Sequence, residues 1–465
     1  MLFSSLTFLT LFLPLFLAVY YLIPARSVRL KNISLLVFSL FFYAIGEPVW
    51  VSLLIISGLW AYVIGRLITR CKKKWQAKAL LILSLCSNIG MLCIFKYSAF
   101  LLGIFGIEAT FTVSLPIGIS FYTFQAMSYM VDLYKGIVKE HHDPIRFMTY
   151  ISMFPQIGAG PIVRYVDIRD RLAERKVTLA GFSEGVTRFA AGLGKKIIFA
   201  NHAGKVAAAL LGVSPDAMTT AGIWLGAIMF MFQIYFDFSG YSDMAIGIGK
   251  MIGFDFKENF DHPYTAKSIT DFWRRWHISL SAWFRDYVYL PLSSSLVKRK
   301  WKMGPIYITT TLVVWFLTGL WHGASINYIL WGIYFCIVLI IERFVLRGVL
   351  SKIPVIVARC YSLLIVLIGW LIFYYTDLTA LTAAGATLFG LAGSLTNHNT
   401  NSLFFANLWI LPVFALFCTK IPSALFQRLI KRIPAVEPVY NAALLCVSFA
   451  LLIGQSFSPF LYFRF

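Results

Sequence analysis

Charge is scarce in this chain, and negative charge scarcest. Asp and Glu number 20 against 41 Lys and Arg, and charged residues make up 13% of 465 positions. A soluble globular domain carries about 25%. The length alone would suggest about three soluble domains, but no long polar block separates the apolar runs, so that organisation is excluded. Hydrophobic residues reach 59%, with a mean hydropathy of +0.77. The seven cysteines form no CxxC pair, and all but Cys71 lie in or beside apolar runs. A disulfide framework and a cysteine metal site are therefore not expected. The net charge is +21, yet the basic residues stand in short clusters between apolar runs. The positive-inside rule accounts for that pattern better than nucleic-acid binding does, so no nucleic-acid partner is expected. No GxSxG elbow and no GxGxxG or GxxxxGK[ST] loop is expected. Two stretches resemble serine-hydrolase motifs only loosely, and no soluble domain leaves room for a hydrolase or nucleotide-binding fold. His141-His142 beside Asp143 lacks the i,i+4 spacing of a helical zinc site, so no metal is expected. Internal repeats, coiled coils and low-complexity tracts are absent.

What remains is apolar run after apolar run. The fold class read from them is an all-α polytopic membrane protein, a single integral domain over 1–465. It divides into N-terminal spans (1–110), a core (111–345) and C-terminal spans (346–465). The first run is about 20 residues without a basic start, which suits an uncleaved span. Spans are expected at about 5–23, 32–46, 49–69 and 79–100. Basic residues follow the first (Arg26, Arg29, Lys31) and the third (Arg70, Lys72, Lys73, Lys74). The rule then places the N-terminus outside and both loops in the cytoplasm. In 111–300 the apolar stretches are interrupted by Pro, Gly and charge: SLPIGISFYTF, FPQIGAGPIVRY, FDFSGYSDMAIGIGK, FWRRWHISLS. Irregular backbone at membrane depth survives only where protein or a water-filled cavity surrounds it. Broken or re-entrant helices around an internal cavity are therefore expected. Further spans are expected at about 304–321, 326–341 and 356–376, then a surface helix within 378–402, a re-entry at 404–419 and a last span at 440–460.

Ionisable groups kept among apolar runs point to function. His322 stands in FLTGLWHGASINYILWG. Gly319, Gly323, Ala324 and Ser325 allow close approach of backbone or ligand, and Trp321, Asn327 and Tyr328 add polar handles. An imidazole in such a cavity suits a general base or a nucleophile; a buried, hydrogen-bonded structural histidine is the plainer alternative. His277 follows Phe272-Trp273-Arg274-Arg275-Trp276, and Arg285 comes after it. These arginines suit phosphate binding, or a basic belt with interfacial tryptophans. In Asp237-Phe238-Ser239-Gly240-Tyr241-Ser242-Asp243, two acids within an apolar span need partners, and pairing with basic residues is the default.

Taken in order, five stretches resemble the membrane-bound O-acyltransferases: Ser114–Gln125, Phe154-Pro155-Gln156 with Gly160-Pro161-Ile162, Asp237–Asp243, Phe272–Ser279 with Arg285-Asp286-Tyr287, and Trp321–Ser325. The nearest branch is that of alginate O-acetyltransferases, which also serves peptidoglycan and bacterial cellulose; the ending FLYFRF resembles it too. The resemblance implies acyl transfer across a bacterial inner membrane. Acetyl-CoA on the cytoplasmic side is the implied donor, and a central tunnel the implied route. His322 matches the family's catalytic histidine and His277 its second signature position. Arg274, Arg275, Lys267 and Trp276 become candidates for the donor. Trp321, Asn327, Ser239, Tyr241, Asp237 and Asp243 become candidates for tunnel support. With no sizeable outer domain expected, the last step is given to an extracytoplasmic partner with a serine nucleophile, acting on a polysaccharide. The sequence departs from the branch at Ser293-Ser294-Ser295, where Gly-Gly-Asn is usual, and at Ile326, where Trp is usual. Two other readings are D-alanyl transfer to teichoic acid, and a transporter with Asp237, Asp243 and Asp132 as an ion path.

Overall fold

The computed structural model describes residues 1–104, 106–107, 115–139, 143–158, 160–454 and 460–461. His141-His142, Ser114 and most of the FLYFRF ending lie outside them. Eight helices among the described residues are long and apolar enough to cross a membrane: Val28–Gly46, Val51–Arg70, Lys74–Gly103, Thr220–Met251, Met303–His322, Ile326–Leu350, Val355–Tyr374 and Val436–Ile453. The protein is an all-α, multi-pass membrane protein, and outside its helices the described residues hold one isolated β-bridge, Thr219 with Ser394.

The chain divides into two compact units, Met1–Leu193 with Tyr241–Glu258 and Leu452–Arg464, and Gly194–Gly240 with Asn259–Leu451. In the first, Phe3, Phe8, Phe12, Phe42 and Phe154 form a ring cluster with centroid separations such as 5.0 Å for Phe3–Phe8 and 5.5 Å for Phe42–Phe154. Phe154 belongs to the Phe-Pro-Gln stretch, whose helix lasts only from Phe154 to Ile157. Gly118 adopts a left-handed conformation (φ 73°) ahead of the helix Ile119–Tyr134, and a Cβ there would strike the Ile157 carbonyl. Only glycine fits that turn. The same unit holds Tyr241, stacked on Phe3 at 4.7 Å, and Asp243, paired with Arg188 at 2.7 Å.

In the second unit, small residues bring spans together, as they do where lipid supplies no hydrophobic drive between helices. Gly319 in Met303–His322 lies against the Tyr328 backbone, and Gly332 against the Trp315 carbonyl. His322 sits one turn beyond Gly319, so this contact sets its height.

One interrupted stretch differs from the sequence reading for a physical reason. FDFSGYSDMAIGIGK is not a break: Thr220–Met251 is one unbroken helix of 32 residues. It contains no proline, and each acid is neutralised, Asp237 by Lys196 at 2.6 Å and Asp243 by Arg188. Its Gly247 allows close approach to the Gly185 carbonyl. The first apolar run is carried by the helix Phe8–Leu22, shorter than the eight helices above. The apolar helix in 378–402 is Leu378–Leu388, and the run at 404–419 is carried by His398–Asn407 and Ile410–Phe417, bent 57° to one another. The other three interrupted stretches are broken among the described residues, at Gly118, after Ile157 and at His277.

Candidate functional site

The second unit contains a cavity of about 320 Å³ on which both motif histidines lie. His277 ends one short helix, Ile269–Arg275 with Trp276 as its cap, and opens another, Ile278–Phe284. Its φ of 44° and ψ of 55° are left-handed. That conformation costs a non-glycine residue of order 1–3 kcal/mol unless its surroundings fix it, and His tolerates it better than most. The break turns the imidazole inward, where it is 2% exposed.

A hydrogen-bond network fixes the ring. The Asn259 side-chain oxygen accepts from the Ser279 backbone N–H (3.1 Å) and the Ser279 hydroxyl (2.8 Å), and stands 3.1 Å from His277 Nδ1. A backbone N–H only donates, so the Asn259 atom facing it is the oxygen; the Nδ1 that meets this oxygen must carry a hydrogen. The lone pair of the neutral ring then lies on Nε2. Burial pushes the His277 imidazole down to about 3, so it is neutral at physiological pH.

His322 closes the C-terminal turn of Met303–His322. Its ring is edge-on to Trp331 and to Phe373, both at 5.0 Å, and lies 4.8 Å from Trp321. The Trp321 ring is also 6.1 Å from His277, so one indole touches both imidazoles. Trp273, Trp276 and Trp315 supply further apolar wall, and exposed Arg274 and Arg285 line the same cavity. The arrangement offers a polar margin, with Arg274 and an Arg285 that pairs with Asp286 at 2.7 Å, and an apolar interior with two imidazoles.

The remaining candidates divide between the cavity and other parts of the structure. Trp276 lines the cavity, and Trp321 touches its histidines. Arg275 is turned to Asp271 (2.9 Å) and Asp261 (3.4 Å), and exposed Lys267 is not among the lining residues. Asn327 donates to the carbonyls of Ile372 and Phe373, tying its helix to the end of Val355–Tyr374 beside His322. Asp237 is held by Lys196, and Ser239 is buried. Tyr241 and Asp243 belong to the other compact unit. Gly181-Phe182-Ser183-Glu184-Gly185 does match the hydrolase pattern GxSxG, but it lies inside the helix Leu179–Gly194 and forms no strand-to-helix elbow.

Two residues escaped the sequence reading. One is Asn259. The other is Glu342, 4% exposed, whose carboxylate accepts from the backbone N–H of Ile269 (2.6 Å) and Thr270 (2.9 Å), and from the hydroxyls of Thr270 (2.8 Å) and Tyr361 (3.3 Å). It satisfies the orphan donors that start the helix bearing Trp273 and Arg274. Glu342→Ala is expected to leave those donors buried and unpaired at a cost of about 1–3 kcal/mol. A lowered thermal midpoint in detergent, with a weaker donor KM, would be the result; an unchanged midpoint would remove Glu342 from this role.

The chain is similar to known proteins over its whole length. The profile of the membrane-bound O-acyltransferase family matches residues 136–382, which include every residue of the cavity. The probable alginate O-acetylase AlgI of Pseudomonas putida is 37% identical over 504 aligned positions, covering 100% of both chains. The peptidoglycan O-acetyltransferase of Helicobacter pylori is 29% identical over 525 positions, covering 100% of this chain and 98% of its own. The teichoic acid D-alanyltransferase of Bacillus subtilis is 30% identical over 239 positions, 49% of this chain and 59% of its own.

Proposed function

The chain belongs to the membrane-bound O-acyltransferase family, and from that premise we propose that it moves acetyl groups from cytoplasmic acetyl-CoA across a bacterial inner membrane for O-acetylation of a cell-surface polysaccharide. The observation that carries this reading is the single cavity shared by His277, His322 and the two exposed arginines. Arg274 and Arg285 meet the phosphates of the donor. The thioester enters the apolar interior past His277. At His322 the oxygen of the incoming hydroxyl bonds to the acetyl carbon as the carbon–sulfur bond breaks; coenzyme A leaves as thiolate, and the hydroxyl proton passes by way of the imidazole to that sulfur. If the imidazole itself carries the acetyl group, the nitrogen–carbon bond forms first and the hydroxyl then displaces it.

Positive-inside clusters at 26–31, 70–74 and 298–302 support a cytoplasmic donor side and an outside N-terminus. An extracytoplasmic partner with a serine nucleophile receives the acetyl group through a central tunnel and passes it to the polymer. Support for a partner comes from the GxSxG stretch of this chain being helical and so unsuited to act as its own nucleophile.

The similarity of half the chain to a D-alanyltransferase favours one competing donor, a carrier-bound D-alanyl thioester. Purified protein in detergent, given either labelled acetyl-CoA or that carrier, decides between them. Release of coenzyme A with acetyl-CoA alone is expected. Turnover of the D-alanyl carrier alone would overturn the acetyl reading.

A further inference from the structure

We infer that Asn259 is the positioning residue of this site: it selects the tautomer of His277, holding hydrogen on Nδ1 so that Nε2 is the basic nitrogen. The inference rests on the proposed function only for its kinetic consequence; the tautomer itself is independent of any activity. Three features carry it. Asn259 is fully buried, at 0% exposure. Its oxygen collects three contacts from the two sides of the helix break, Nδ1 of His277 and both donors of Ser279. Its own backbone carbonyl also accepts from the Ile278 N–H, so the strand of chain before the break is clamped to the chain after it. The left-handed His277 is thus held from both flanks by one residue.

A neutral orienting group has a chemical consequence. A carboxylate at this place would stabilise the imidazolium; an amide oxygen fixes the ring without adding charge. The enzyme therefore keeps an uncharged, correctly turned imidazole next to a thioester path lined with arginines. The titratable and charged groups that line the cavity with His277 are Arg274, Arg285, Tyr289, Tyr307 and His322; beside them, Arg275 pairs with Asp261 and Asp271, and Arg285 with Asp286. The lining residues themselves include no carboxylate, and the flanking carboxylates are each paired with an arginine.

The direct test is nitrogen NMR of the full chain labelled with 15N-histidine in lipid nanodiscs, with His277→Gln assigning the signal among seven histidines. A neutral ring protonated on Nδ1 is expected in the wild type and is expected to be lost in Asn259→Ala. A ring protonated on Nε2 in the wild type overturns the inference. The kinetic test uses Asn259→Asp, which retains an acceptor oxygen for all three donors and so should fold. Its carboxylate should raise the His277 pKa, and the acid limb of the kcat/KM profile should move up by about 1–3 pH units. Asn259→Ala should lower kcat about tenfold or more across the pH range with little change in donor KM. A pH profile of Asn259→Asp that coincides with the wild type overturns the positioning role. If the wild type does not turn over acetyl-CoA, the proposed function fails while the NMR result still decides the tautomer.

Discussion

His322→Ala is expected to abolish acetyl transfer while leaving the protein folded. Removing a general base costs about 10²–10⁴-fold, and removing a covalent carrier costs more, since the step it divides has no alternative route. The structure gives reasons why the fold should survive. His322 is the last residue of its helix, next to Gly323 in extended backbone, so its side chain supports no later turn. The spans Met303–His322 and Ile326–Leu350 are joined instead by Gly319 and Gly332, and Asn327 ties the following span to Val355–Tyr374. The measurement is release of coenzyme A from labelled acetyl-CoA, alongside thermal melting in the same detergent. An equally active His322→Ala would make the histidine structural and remove the central residue from the mechanism. Where activity is lost and melting is unchanged, mass spectrometry of the wild type stalled without acceptor separates the two chemical roles. An acetylated His322 peptide means a carrier, and its absence means a base.

The two histidines that share the cavity stood out in the sequence because their signal is local. Trp-His-Gly and Arg-Arg-Trp-His each pack an imidazole among residues that bind, approach closely or break a helix, all within a few positions. Asn259 and Glu342 were not legible, because a side-chain oxygen that accepts from distant backbone leaves no periodic mark. The donors on Glu342 lie 72 and 73 positions away. Arg274 and Arg275 show the limit of type and spacing: adjacent in sequence, they face different sides of a helix. One lines the cavity and the other is occupied by Asp261 and Asp271. The reading of Asp237–Asp243 as a break failed for a related reason. Gly and charge usually interrupt a span, but they do so only while the charges lack partners, and Lys196 and Arg188 come from elsewhere in the chain. The spans at 303–322 and 355–374 were legible because they combine continuous hydropathy with flanking charge or proline.

The Lys196–Asp237 pair carries the second large expectation. Both side chains are almost wholly buried, 4% and 3% exposed, with Nζ 2.6 Å from the carboxylate. Asp237 lies within a span that is 78% buried inside the protein. Lys196→Met should therefore cost about 3–5 kcal/mol, because it removes the cation paired with a buried carboxylate. Lys196→Met combined with Asp237→Leu should recover most of that loss, since replacing a whole buried pair by apolar groups of similar size is often neutral. The same double variant separates two readings of the acids. In a transporter, Asp237 would be a waypoint for an ion or proton, and its removal would silence the protein even with the fold restored. In an acyltransferase whose chemistry lies at His277 and His322, the pair is a structural neutralisation, and the stable double variant should release coenzyme A at close to the wild-type rate. A double variant that melts like the wild type but transfers no acetyl group would give Asp237 a chemical role; one that remains as unstable as the single variant would mean that Lys196 supports the fold through contacts other than its charge.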